Sequence, residues 1–193
     1  RISSDWAEIT SEDFQIGALA LLNKKRDEKL TWKFGFYYNQ EYFAPFLVPL
    51  FGVDWKINHK WRLFGVMPST LTLEHKVSDK FRFGAGITSP VVSYRLGEKN
   101  TLLPSGYVQQ TYFTQFLCFA DVYLTKNLVF TPKIGHSVLR NYRAFDQNDQ
   151  SNFSLWGITF GDRSQERPAP YEELEDGFIF EIGMSYRYDL EKK

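Results

Sequence analysis

The sequence predicts an all-β protein, an antiparallel up-and-down transmembrane β-barrel of about ten strands, with eight as the alternative. Three observations predict it. Apolar and polar residues alternate with a period of two along most of the chain, the mark of strands whose two faces meet different surroundings. Very short turns alternate with longer connections, as in the hairpins of outer-membrane barrels. Aromatic residues make up 18% of the 193 residues. Core packing seldom needs so many, whereas strands and membrane interfaces favour them.

The first strand is read at 14–22, with Phe14, Ile16, Ala18, Ala20 and Leu22 on one face, and the polar run 23–29 ends it. The segment 30–39 sets Trp32, Phe34, Phe36 and Tyr38 against Lys33, Gly35, Tyr37 and Asn39. A longer connection is expected at 39–47. The next strand, 49–57, sets Phe51, Val53, Trp55 and Ile57 against Gly52, Asp54 and Lys56, and Asn58-His59-Lys60 then reads as a tight turn. Residues 61–68 alternate less cleanly and stop at Pro68. In 70–77, Leu71, Leu73, His75 and Val77 oppose Thr70, Thr72, Glu74 and Lys76. After a turn at 78–80, Phe81, Phe83, Ala85 and Ile87 oppose Arg82, Gly84 and Gly86.

A second long connection is expected at 96–108. The strand after it carries Tyr112, Phe116, Cys118, Ala120, Val122 and Leu124 opposite Gln115 and Asp121, although Phe113, Leu117 and Phe119 intrude on the polar side. A turn at 125–127 leads to Leu128, Phe130, Pro132, Ile134 and Val138, facing away from Thr131, Lys133, Gly135 and Ser137. Residues 141–176 read as a long polar extracellular loop holding one short strand at 152–160. The closing strand places Phe178, Phe180, Ile182, Met184, Tyr186, Tyr188 and Leu190 against Ile179, Glu181, Gly183, Ser185, Arg187 and Asp189. This makes nine strands from Phe14 to Leu190, within a single domain over 1–193. Even parity requires one more, in 1–9 or upstream of Arg1. Eight strands result if 61–68 and 70–77 form a bent excursion instead of two spans.

Alternation alone does not say which face meets water, since a soluble lipocalin-like barrel alternates too. Three details point the apolar face outward to lipid. The polar face is rich in glycine, which suits a crowded, curved interior. Its charges balance, so that they can pair in a narrow lumen. Aromatic residues recur near strand ends, as girdles do. The expected lipid-facing set is Trp32, Phe34, Phe36, Phe51, Val53, Trp55, Leu71, Leu73, Phe81, Phe83, Phe116, Phe130, Ile134, Phe178, Phe180, Ile182, Tyr186 and Tyr188. The expected lumen charge network is Lys33, Asp54, Lys56, Glu74, Lys76, Arg82, Asp121, Lys133, Glu181 and Arg187.

Other chemistry finds little purchase. Lys plus Arg and Asp plus Glu number 23 each, so there is no basic excess for nucleic acid. The single Cys118 excludes an internal disulfide framework and cysteine metal clusters, and its strand pattern reads as a small apolar residue. No metal-ligand spacing is present, and no run of apolar residues is long enough for a membrane helix. His59 lies in a turn, while His75 and His136 fall on apolar faces. His136 and Ser137 are strand neighbours and point to opposite sides, so they do not form a nucleophile–base pair.

Over residues 48–87 the sequence resembles an uncharacterised family of outer-membrane β-barrels common in Bacteroidota, known as a domain of unknown function. Pro49, Gly52, Trp55, Trp61, Met67, Pro68, Leu71, Leu73, Phe83 and Gly84 carry the resemblance, with Met67 where a leucine is expected. The resemblance implies a fold and a bacterial outer-membrane location, and no activity. The resulting expectation is a non-enzymatic integral barrel without cofactor, its lumen filled by side chains. Its partners would be outer-membrane lipid and other outer-membrane proteins, in a structural or docking role. A small outer-membrane hydrolase acting on lipid or peptide is the first alternative, and a soluble lipocalin-like binding barrel the second.

Overall fold

The computed structural model describes residues 14–41, 44–89, 91–95, 107–146, 153–155, 158–160 and 175–186. These form the strands β1 (Gly17–Lys25), β2 (Leu30–Glu41), β3 (Ala44–Lys56), β4 (Trp61–Met67), β5 (Thr70–Lys76) and β6 (Phe81–Thr88). They continue with β7 (Val91–Arg95), β8 (Tyr107–Tyr123), β9 (Leu128–Asp146), β10 (Phe153–Leu155), β11 (Ile158–Phe160) and β12 (Gly177–Tyr186). There is no helix among the described residues.

One sheet contains all the strands. Its main path, β1-β2-β3-β4-β5-β6-β8-β9-β12, is antiparallel at every step. β7 pairs with β8, and the small β10–β11 hairpin joins the sheet through β10, which runs parallel to β3. No ladder among the described residues joins β1 to β12, so the described sheet is open. The path holds nine strands, and the tenth expected in 1–9 lies outside the described residues. β4 and β5 stand within the path, each paired on both sides, so the bent excursion behind the eight-strand alternative does not occur.

The connection expected at 39–47 shrinks to the two residues between Glu41 and Ala44. Pro45 and Pro49 both sit in β3, opposite Gln40 and Phe36. β4 ends opposite Phe51, so beyond that point β3 has a side with no β4 ladder to interrupt, where a proline is tolerated. The segments expected as loops at 96–108 and 141–176 also give way in part to strand. β8 and β9 stay paired as far as Tyr107 and Asp146. These arms lack a continuous apolar face, so no alternation marks them. A register shift between Tyr112 and Thr114 accompanies the left-handed backbone of Leu139, at φ 56°. Such bulges re-aim a strand pair at the rim of a sheet.

At the opposite end the turns are short and alike. Four residues each separate β1 from β2, β3 from β4, β5 from β6 and β8 from β9. The second residue of each turn, Asp27, Asn58, Ser78 or Thr125, accepts a hydrogen bond from the backbone N–H two residues on, at 2.8 to 3.2 Å. These Asx- and Ser/Thr-type bonds hold the turn without requiring glycine.

The hairpins step regularly past one another. Thr31 faces Asp54, two residues before β3 ends at Lys56. Arg62 faces Glu74, two before Lys76, and Arg82 faces Asp121, two before Tyr123. With about 3.3 Å per residue and about 4.8 Å between strands, two residues of stagger per pair of strands tilts the strands by about 35°.

Candidate functional site

The sheet has two chemically distinct faces, and their exposure is the reverse of a water-soluble protein's. Among the described residues only Leu50 and Val129 are buried hydrophobics, at 4% and 0% exposed. On β12, Phe178, Phe180 and Ile182 are 78%, 74% and 81% exposed, while Ile179, Glu181 and Gly183 between them are partly covered. β2 and β6 repeat the pattern, with Trp32, Phe34, Phe36, Phe81 and Phe83 exposed between less exposed polar or glycine positions. Phe51, Trp55, Leu73, Phe116, Ile134 and Tyr186 are likewise exposed, whereas Val53, Leu71 and Phe130 are half-buried. Tyr188 lies outside the described residues.

The apolar face carries its own ring contacts. Phe34 meets Phe51 edge-on at 5.9 Å, His136 meets Phe178 at 5.2 Å, and His75 lies 4.4 Å from Trp61 and 5.0 Å from Phe83. Both histidines therefore join the aromatic surface. His136 and Ser137 do face opposite ways: Ser137 is buried, its hydroxyl 3.5 Å from the Gly177 carbonyl.

The polar face is crowded and internally paired. A Cβ on Gly135 would come within 2.0 Å of the Phe116 carbonyl oxygen, and one on Gly84 within 2.7 Å of the Phe119 ring. Only glycine fits such close approaches, which mark places where a sheet bends sharply. They also explain the apolar residues that break the alternation of β8. Phe119 lies opposite Gly84, and Leu117 opposite both Gly86 and Gly135, so the rings and branches fill space that the glycines vacate.

Charges on this face pair diagonally or directly across strands. Arg62 Nε and Nη2 donate to the two Asp54 carboxylate oxygens at 2.8 and 2.7 Å, and the guanidinium stacks 4.8 Å from the Phe64 ring. Arg82 donates to Glu74 at 3.2 Å and lies 5.3 Å from the Tyr123 ring. Lys133 donates to Glu181 at 2.9 Å, and the Thr131 hydroxyl donates to Asp121 at 2.6 Å. The fork-shaped, charge-assisted contact of Arg62 with Asp54 is of the strong kind. Of the expected network, Asp54, Glu74, Arg82, Asp121, Lys133 and Glu181 come together in these contacts. Lys76 turns instead to Asp79 of its own turn, at 2.6 Å. Lys33 and Lys56 make no ion pair among the described residues, and Arg187 lies outside them. Arg62, on the same polar face, makes the strongest of these contacts, a two-pronged one to Asp54.

A family model described as a domain of unknown function, DUF6268, matches residues 1–187. The chain belongs to that family. The match takes in every strand from β1 to β12 of the DUF6268 domain. No curated protein and no solved structure matches the chain. The resemblance over 48–87 to an uncharacterised family thus holds at the level of a domain of unknown function. Inside DUF6268 those residues are the β3–β6 hairpins, which supply the Asp54–Arg62 and Glu74–Arg82 pairs.

Proposed function

We propose that this domain is an integral outer-membrane β-barrel without catalytic activity, its lumen filled by side chains, serving as a structural or docking element. One observation carries the reading. A continuous sheet face of Phe, Trp, Ile, Leu and Met is exposed while almost no apolar side chain is buried. Water-soluble monomers rarely expose apolar patches beyond a few hundred Å². Hydrocarbon is the solvent that such a face fits.

Three further features support it. The tilt of about 35° falls at the edge of the range for membrane barrels. From Leu128 to the bulge at Leu139, β9 runs for about the 9–11 residues that a tilted span needs. The crowded glycines lie on the charged face, which favours that face as the concave one. With nine strands in the path, β1 and β12 run in the same direction. Antiparallel closure therefore takes one more strand, from the N-terminal side. A barrel of about ten strands is too narrow for an open porin channel, which takes about 16. A lumen bridged by Arg62, Arg82 and Lys133 accords with a plugged interior.

Expression in a Gram-negative host followed by fractionation tests the reading. The protein should pellet with the outer membrane, resist carbonate extraction and run at a different gel mobility before and after heating. Recovery as a soluble monomer that binds hydrophobic dyes within an enclosed cavity would instead favour a lipocalin-like barrel.

A further inference from the structure

Among the described residues, two depressions on the apolar face differ at their rims. One, of about 730 Å³, lies over Ala85, Cys118, Ala120 and Pro132 between larger side chains. Its one cationic neighbour, Lys133, is held by Glu181. The other, of about 810 Å³, lies over Val53, walled by Phe34, Phe51, Met67 and Leu71. Gly65, opposite both Val53 and Leu71, contributes no side chain to fill it. Lys24, Lys25 and Arg26 border this second depression, with Trp32 directly opposite Lys24.

We propose that the second depression is a docking site for a glycerophospholipid with an anionic headgroup, a reading that rests on the membrane assignment above. An acyl chain fits the apolar floor. The headgroup phosphate then meets three cations at the end of β1, and the Trp32 ring sits at the depth where indoles prefer to lie. None of the three side chains forms an ion pair among the described residues. The nearby Asp27 carboxylate is engaged by the backbone N–H groups of Lys29 and Leu30, and Glu28 is the one other acid of that turn. Charge complementarity therefore selects an anionic over a zwitterionic lipid. Each lysine or arginine near an anionic membrane surface strengthens that attraction about fivefold.

The test folds the chain into vesicles of phosphatidylcholine mixed with phosphatidylglycerol. Mild detergent extraction and native mass spectrometry then count the retained lipids. The expected result is one phosphatidylglycerol retained in preference to phosphatidylcholine. Combining Lys24→Gln, Lys25→Gln and Arg26→Gln should reduce the preference about tenfold or more. A control combining Lys60→Gln, Lys80→Gln and Lys126→Gln, at the neighbouring turns, should keep it. Lys24→Gln alone gives a smaller loss in the same direction and serves if the triple variant folds poorly. Equal preference in the two triple variants would overturn the site while leaving the barrel standing. Displacement of the lipid by soluble glycerol phosphate would assign the cations to free anions and also overturn it. Failure of the parent chain to enter vesicles would overturn both readings.

Discussion

Ile134 and Gly135 are neighbours in β9 and obey opposite rules. Ile134 projects from the apolar face, half exposed, beside Cys118 and Phe180 of the flanking strands. Gly135 sits on the polar face with no room for one more carbon. On the proposed membrane reading, the apolar face asks only that a residue be apolar, because fluid hydrocarbon reshapes itself around any ring or branch. The polar face asks for a particular size and a particular charge at each position, because its neighbours are fixed protein atoms. Tolerance to substitution should therefore alternate along the chain with the period of the strand.

The largest effect breaks the first rule. If the proposed bilayer is the solvent of this face, Ile134→Arg should cost about 2–4 kcal/mol in urea unfolding from vesicles, since the guanidinium would be forced toward the midplane. A loss below 1 kcal/mol, on the order of a surface substitution, would mean that this face meets water. Next comes Gly135→Ala, the smallest possible enlargement on the polar face. It should cost about 1–3 kcal/mol through overpacking, and a neutral result would show that the face relaxes freely. Arg62→Met should cost about 1 kcal/mol, because it strands the Asp54 carboxylate. The Arg62 side chain is 40% exposed, so screening keeps the loss well below that of a fully buried pair. Removing both partners, as Arg62→Met with Asp54→Leu, should recover most of it.

These contrasts also explain what could be read before the structure. β2, β6 and β12 are legible because each residue pair along them states both surroundings, as in Phe180 and Glu181. The pairing of Lys133 with Glu181 follows from register that alternation alone does not supply; it becomes readable only once the β9–β12 ladder is known. The fork from Arg62 to Asp54 is hidden in the same way, because it spans a diagonal of the β3–β4 ladder that only the register reveals. The extensions of β8 and β9 were illegible for a different reason. Residues 141–146 pair with 107–112 in a ladder that no period-two alternation announces, and backbone hydrogen bonds leave no mark on side-chain polarity. Pro45 falls in the connection expected at 39–47 and yet lies in β3, as Pro49 does, in a stretch that the shorter β4 does not reach.

The smallest effects sharpen the comparison. Phe180→Leu exchanges one apolar side chain for another on the tolerant face and should shift stability by less than about 0.5 kcal/mol. Asp79→Asn removes a charge from a turn, beyond the ends of β5 and β6. Its carboxyl is held below the ordinary value of 3.8, first by the hydrogen bond from Lys76 and then by that ammonium's charge. A lowered value in the folded state means that the unfolded chain takes up the proton more readily. Whatever the pair contributes is therefore present above the unfolded value and is lost as pH falls through the folded one. The Asp79 side chain is 93% exposed, so solvent and salt screen the attraction. Asp79→Asn should accordingly leave the urea midpoint unchanged at neutral pH and physiological salt, unlike Arg62→Met on the polar face. Equal losses from the two variants would mean that enclosure does not distinguish them, and the polar face would then be as wet as the turns.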